Sequence, residues 1–406
     1  MLFLYIKKFT SGRLVFLRII LTLYYANKNP ILMEEFSEPK HRVNQQLSCS
    51  NCGAILKFAP GTDAIACPYC GVQNKIEQKS QEVVREAIQE IDYLSFLKHN
   101  KGRGQKIEVA TVKCPGCGAV STLKPNVTSD ECAFCGTSLV LDTKSISSLI
   151  KPKALLPFFI DHKKAVDLFK QWLSSLWFAP NNLTRIARQT EALKGMYIPY
   201  WTYDSSTYST YTGERGDNYT ETETYTDSNG NRQTRTVIKT RWHYVSGSVS
   251  RNFDDVLVVA SNSLPRSYAQ ALEPWDLEKL VPYDEQFLSG FQTEAYQIEL
   301  EQGFEYAKGI MDSAIRESVR RKIGGDQQRI HSLYTEYDNI TFKHILLPIW
   351  ISSYKYNNKV YRFLVNARTG EVQGERPYSW VKITLAILAA LAAIFAYLYF
   401  TGEIKF

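Results

Sequence analysis

The chain has 406 residues, 44% apolar and 13% aromatic, with 22% charged side chains and a formal net charge of +7. Such a length accommodates two or three domains with a buried core, and eight cysteines in so long a chain exclude a small disulfide scaffold. Five basic residues (Lys7, Lys8, Arg13, Arg18, Lys28) and no acid fall in the first 32 positions; subtracting five from seven leaves +2 on the other 374, so net charge alone gives no nucleic-acid signature.

The N-terminal stretch, taken as an extension over residues 1–44, is apolar from Leu14 to Tyr25 apart from Arg18 and Thr22. It imitates a signal peptide, but Arg18 interrupts the apolar run and no A-x-A-like site follows. Two readings stand. One is a basic interfacial helix on an anionic inner leaflet. The other, preferred, is a start assigned too early, with Met33 opening the true N-terminus.

All eight cysteines obey one pattern used twice. Cys49-Ser-Asn-Cys52-Gly53 is followed after 14 residues by Cys67-Pro-Tyr-Cys70-Gly71, and the same arrangement returns 65 positions later as Cys114, Cys117, Cys132 and Cys135. Each C-x-x-C-G reads as a knuckle that aims two thiolates at one metal, with the glycine supplying a positive φ. Two knuckles make a tetrahedral four-cysteine site suited to Zn²⁺, and with every position filled by protein the zinc is expected to be structural. Ribbons are placed at 45–76 and 110–142. A rubredoxin-like iron uses the same ligands and stays open on ligand chemistry alone. Disulfides conflict with a cytoplasmic location, and redox C-x-x-C chemistry has no use for four matched copies. Only Lys57 and Lys75 accompany the first ribbon, and Lys113 and Lys124 the second, too few for a nucleic-acid patch.

Between the ribbons, Val83, Val84, Ala87, Ile88, Ile91, Leu94 and Leu97 recur at helical spacing, predicting a linker helix over 80–100 that ends at Gly102 and Gly104. Residues 152–378 read as an α+β domain. A buried strand is expected at Leu155–Ile160, then a helix through Ala165, Leu168, Phe169 and Trp172, then a strand opening at Tyr197-Ile-Pro-Tyr-Trp201. A similar apolar-Pro-x-Trp phrase, Leu346-Leu-Pro-Ile-Trp350, follows a helical run from Ala295 to Lys322 and leads into a hairpin from Tyr354 to Val365, which suggests two related units. From Tyr208 to Ser246 the composition turns to Thr, Tyr and charge. Tyr219–Tyr225 faces Thr234–Trp242 across an Asn229-Gly230 turn, predicting a long hairpin whose acidic strand pairs with its basic one. It reads equally as a contact arm or as a solvated ribbon.

No phosphate loop, metalloprotease, nucleophile-elbow or dinucleotide motif is present, and the six histidines (His41, His99, His162, His243, His331, His344) have no metal-ligand spacing. The expectation is a protein that is not an enzyme, without catalytic or cofactor-binding residues beyond the metal ligands. Gly324-Gly325-Asp326 reads as a helix C-cap rather than an anion site, and Asp254-Asp255 as a strand start rather than a metal pair. Should an enzyme be hidden here, Asp254, Asp255 and Asp326 are the first positions to substitute.

The C-terminal end holds 18 uncharged residues, Ile383–Phe400, enough for a transmembrane helix placed at 380–400 with a short tail at 401–406. Tyr378 and Trp380 on one side, Tyr397 and Tyr399 on the other, fall at headgroup depth. Lys355, Lys359, Arg362, Arg368, Arg376 and Lys382 precede the span and only Lys405 follows it, so the positive-inside rule puts the bulk of the chain in the cytoplasm of a single-pass inner-membrane protein.

The paired knuckles, with Thr240–Gly247 (TRWHYVSG), Phe253–Val258 (FDDVLV), Glu273–Leu277 (EPWDL), Phe342–Trp350 and Val365–Pro377, resemble a bacterial family of membrane-anchored proteins with transcription-factor-IIB-type zinc ribbons, often labelled as similar to the primosomal replication-restart helicase. The resemblance spans most of Cys49 to Phe400, and Ser50 departs from its knuckle pattern without touching the metal ligands. The helicase activity is rejected because a phosphate loop is missing. By analogy the resemblance implies flotillin-like or membrane-stress partners. The resulting expectation is a non-enzymatic adaptor that docks proteins and contacts lipid; the alternative is a membrane-tethered nucleic-acid-binding protein of replication or repair type.

Overall fold

Three exceptionally long strands organise the chain. In this computed structural model the described residues are 49, 51–54, 56–76, 80–99, 106–122, 129–140, 144–180, 193–226, 230–356 and 359–401. The N-terminal extension with Met33, Ser50, Gly102, Gly104, Lys124, Asn229 and Lys405 lie outside them.

The first ribbon is a small antiparallel sheet of β1 (Lys57–Phe58), β2 (Ala64–Ala66) and β3 (Gln73–Lys75). Next come α1 (Gln81–Ile88), β4 (Ile91–Asp92) and α2 (Tyr93–His99). The second ribbon is built from β5 (Lys106–Lys113), β6 (Val120–Thr122), β7 (Ser129–Glu131) and β8 (Ser138–Val140), with β9 (Lys144–Ile150) returning along β5. The remainder is β10 (Ala154–Leu155), α3 (His162–Ser175), β11 (Lys194–Thr226), β12 (Arg232–Val259), α4 (Arg266–Ala271), β13 (Val281–Pro282), β14 (Gln292–Thr293), α5 (Leu300–Ile323), β15 (Gln327–Tyr356), β16 (Lys359–Asn366), β17 (Val372–Gly374) and α6 (Trp380–Phe400).

The main sheet runs β12-β11-β15-β10-β13, with β11 antiparallel to both long neighbours and β10 parallel to β15. β11, β12 and β15 contain 33, 28 and 30 residues, against a usual strand of about five or six. Their inner ends form the core and their outer ends form an arm. β15 begins at Gln327, opposite Gly216, so from Asp217 outward β11 and β12 continue as a two-stranded ribbon. There Lys239 meets Glu221 at 2.8 Å and Glu223 at 2.9 Å, while Arg235 meets Glu223 at 3.3 Å; this is the acid–base pairing the alternation predicts.

α5 seals one face of the blade. Leu300, Phe304, Ala307, Met311, Ile315, Val319 and Ile323 recur every three or four residues and are all buried, and they share a core with Trp201, Tyr203 and Tyr211 of β11. Gly303 makes the approach possible, since a Cβ there would stand 2.4 Å from Tyr203 Oη. Tyr203 Oη and Trp201 Nε1 in turn donate to the carbonyls of Leu300 (2.6 Å) and Ile298 (2.8 Å), so neither ring buries an unpaired donor.

Several expectations change. The linker helix is broken: α1 ends at Gln89, whose ψ is 136°, because Ile91 and Asp92 leave the helix to pair with Phe342 and Thr341 of β15. The expected strand at Leu155–Ile160 shrinks to β10, yet Leu155, Leu156 and Phe158 are almost fully buried; Pro157 has no N–H for a ladder, and the N–H groups of Phe159 and Ile160 donate to the Ala367 carbonyl instead. The long helix starts at Leu300 rather than Ala295 and ends at Gly324, a C-cap at φ 68°. The two apolar-Pro-x-Trp phrases lie side by side on β11 and β15, with Tyr197 opposite Pro348 and Trp201 opposite His344.

Candidate metal centres

The four knuckles share one backbone geometry. In each, the glycine N–H donates back to the first cysteine's carbonyl: Gly53 to Cys49 (2.8 Å), Gly71 to Cys67 (3.1 Å), Gly118 to Cys114 (2.9 Å) and Gly136 to Cys132 (2.9 Å). The first cysteine's own N–H reaches the carbonyl just past the knuckle, at Ala54, Val72, Ala119 and Thr137. Closing so short a loop drives the glycines to φ values of 71°, 72°, 76° and 72°, where a side chain is strained.

The two knuckles of each ribbon bring their sulfurs together. Within each set of four, every Sγ lies within 4.8 Å of the others. The closest pairs are Cys49–Cys70 and Cys52–Cys67 at 3.5 Å, Cys114–Cys135 at 3.5 Å and Cys117–Cys132 at 3.6 Å. A disulfide needs about 2.05 Å; a tetrahedron with Zn–S bonds of about 2.3 Å has edges of roughly 3.8 Å. The spacing therefore fits a metal and not a cross-link, and all eight cysteines are free thiols. The chain thus carries two four-cysteine metal sites of the zinc type.

Neither ribbon stands apart from the core. Cys49, Leu56, Phe58, Ile65, Cys67 and Ile76 share an apolar cluster with Phe158, Phe291, Trp350 and Phe363. Cys114, Cys132, Phe134 and Leu139 share another with Ile198, Ile345 and Leu347. Backbone bonds reinforce both attachments: Phe58 N–H donates to Ser289 O (3.0 Å) and Ala295 N–H to Val120 O (2.9 Å). Beside the second site, Thr137 Oγ1 sits 3.1 Å from Cys135 Sγ, and Gly116 leaves the space, because a Cβ would stand 2.5 Å from that hydroxyl. Lys57, Lys75 and Lys113 are exposed.

Sequence reasoning missed a carboxylate cluster where β4, β11 and β12 converge. Glu90, Asp204 and Asp254 bring oxygens within 4.8 Å of one another. Lys343, nearly buried, answers them: its ammonium lies 2.8 Å from Glu90 and 2.7 Å from Asp255. Burial pushes the Asp204 carboxyl up to about 8, aided by its hydrogen bond to Glu90. For Glu90 burial acts upward but is outweighed by the bonds from Asp204, Lys343 and Thr341, which hold it at about 2. The arrangement sets one cation among crowded acids at a sheet bulge, where β11 slips register at Asp204. Asp326 is not part of it. It lies at the α5–β15 turn, where its Oδ2 accepts from Asn218 N–H at 2.7 Å and its own N–H donates to Gly216.

A second unanticipated group is Glu294, which is 2% exposed. Ser261 donates to its Oε1 at 2.8 Å, and Ser263 and Gln297 donate to the same oxygen, while Oε2 has no hydrogen-bond partner among the described residues. Burial pushes this carboxyl up to about 8. His344 is buried too, and burial pushes it down to about 4, with Nδ1 2.8 Å from Ile150 O. No histidine joins a ligand cluster among the described residues.

No family model matches the chain, and no solved structure does. It is similar to the uncharacterized protein YdjG of Bacillus subtilis (strain 168), with 25% identity over 338 residues that cover 82% of this chain and 91% of that protein.

Among the described residues α6 alone is long and apolar enough to cross a membrane, and none of its side chains is buried by protein. An apolar helix that none of the described residues covers belongs in lipid, and the chain is membrane-associated through it.

Proposed function

We propose that this protein is a non-enzymatic adaptor on the cytoplasmic face of a bacterial inner membrane. Zinc held by Cys49, Cys52, Cys67 and Cys70, and by Cys114, Cys117, Cys132 and Cys135, staples its core, α6 anchors it, and the β11–β12 arm meets protein partners. The observation that carries the reading is the closure of both metal sites: four thiolates each leave no coordination position for water or substrate, so the metals serve structure. Further support comes from the arm, which exposes Tyr219, Tyr225 and Ile238, with Tyr244 exposed at its base. Exposed aromatic side chains on a rigid strand pair are a usual currency of protein recognition. The cation-rich flank of α6 supports the cytoplasmic orientation. The resemblance to membrane-anchored zinc-ribbon proteins suggests flotillin-like or membrane-stress proteins as the first partners to look for.

The test is photo-crosslinking from Tyr225 and Tyr244 in intact membranes, with identification of what is captured. A recurrent protein adduct lost on deleting 217–241 supports the adaptor. Nucleic acid in the adduct would favour the second reading, a membrane-tethered nucleic-acid binder. That reading draws on Arg235 over Tyr225, Arg241 over Tyr219 and Arg329 over Trp242, which pair cations with ring faces along the arm. Binding that falls steeply with salt would uphold it, and no binding at low salt would sink it.

A further inference from the structure

α6 does not leave the body as a free tether. Its first turn is bolted to the turn that follows α3. The N–H of Ser379 donates to Phe178 O at 2.7 Å, and Lys382 Nζ donates to Trp177 O at 3.0 Å and Ala179 O at 2.8 Å. Three consecutive carbonyls thus receive the start of the helix, two of them solvating the last charge before the apolar stretch.

The same turn displays its side chains in an unusual way. Leu176 and Ala179 are buried in the core and hold the turn from beneath. Trp177 and Phe178 between them are exposed, Trp177 by 81%, and the two rings stack at 6.5 Å. Tyr378 and Trp380 at the head of α6 are exposed as well, Trp380 by 80%. Trp rarely stays so open to water, and the Ser379–Phe178 backbone bond brings the turn that carries Trp177 to the head of α6, where Trp380 sits.

Depth decides what covers these rings. Residues 379 and 382 flank the boundary where the apolar stretch begins, and the carbonyls of 177–179 lie within 3.0 Å of them. One helical turn rises about 5.4 Å, so Trp177 and Phe178 share the headgroup depth of Trp380. We infer that the Trp177–Phe178 turn is a second membrane contact, seated in the headgroup layer beside α6 and fixing the orientation of the body on the bilayer. Tyr and Trp suit that layer because one part of each ring system is apolar and another is wet. Arg376, exposed and over the Tyr378 ring, adds a cation beside the patch for anionic lipid.

The inference rests on α6 spanning the bilayer, and its test separates the two. Full-length protein carrying a photo-crosslinking phenylalanine at Trp177, at Phe178, at Leu388 in mid-helix or at Tyr334, exposed on β15, is reconstituted in phosphatidylethanolamine–phosphatidylglycerol vesicles and irradiated. Positions 177 and 178 should give at least roughly tenfold more lipid adduct than 334, as headgroup-level aromatics do. Lipid adduct at 388 with only the level of 334 at both 177 and 178 overturns the second contact and leaves the span standing. Absence at 388 as well overturns both. In native membranes, a single protein adduct at 177 in place of lipid would make the patch a partner site and equally overturn it. All four substituted positions are exposed, and retained zinc reports that each variant is folded.

Discussion

Glu294 illustrates how far a side chain's chemistry departs from its type once its neighbours are known. Its ordinary value is 4.5 and the folded value is about 8, so the folded chain holds a proton there that the unfolded chain releases. Stability is therefore expected to fall as pH rises from about 4.5 to about 8, because burial disfavours the charged carboxylate, and to level off above, where both states are deprotonated. Glu294→Gln keeps the shape and removes the charge. Its melting temperature should gain on the unchanged protein between about pH 5 and about pH 8; a constant gap over that range would contradict the buried, protonated state. At the metal sites the expectation is equally specific. Cys132→Ser should drop bound zinc from two ions per chain to one by metal analysis, leaving the first ribbon loaded, since each set of four is closed upon itself.

At the scale of elements, the blade depends on α5 lying directly against β11. Gly303→Ala gains helix propensity of about 1 kcal/mol but sets a Cβ 2.4 Å from Tyr203 Oη and 2.8 Å from Trp201 Cδ1. Overpacking of this kind costs about 1–3 kcal/mol, so a net loss is expected in denaturant melts. Tyr203→Phe removes the nearest atom, and the double variant should recover part of the loss; strict additivity would show that the two residues do not meet. Met311→Ala, at the middle of the same seam and fully buried, should cost about 2–5 kcal/mol. Among the described residues the outer arm has no helix behind it. Its ion pairs are exposed, and charge changes at Lys239 should leave the melting of the core unaltered.

For the molecule as a whole, the placement of the ribbons sets its response to metal loss. Because Cys49 and Cys67 line the cluster that holds Trp350, and Cys114 and Cys132 line the one that holds Ile345, stripping zinc should loosen the main sheet and not two appendages. A chelator is expected to shift tryptophan emission and lower the melting temperature together. Zinc release with unchanged core melting would show the ribbons to be independent. Removing 380–406 should release the protein from membranes while both metals stay bound, since no α6 side chain is buried in the body.

Much of this was legible in the residues. Each knuckle is a contact across three positions, so cysteine and glycine spacing alone specify it, and the pairing of knuckles follows from the demand of one metal for four ligands. The span is equally local, a matter of 18 uncharged residues in a row, and the arm announces itself through alternation and a turn. Tertiary structure decided the rest. Residues 91–92 read as helix until β15 offers them a ladder from 250 positions away, and the apolar stripe carried no trace of that competition. Glu90, Asp204 and Asp254 look like ordinary surface acids until register brings them together. Trp177 and Phe178 lie some 200 residues from α6, and only the fold of the α3 turn onto its first residues places them at the depth of the membrane surface. Short-range chemistry is written in neighbouring residues; contacts between distant segments depend on which sheet register and which packed face win, and those are properties of the whole chain.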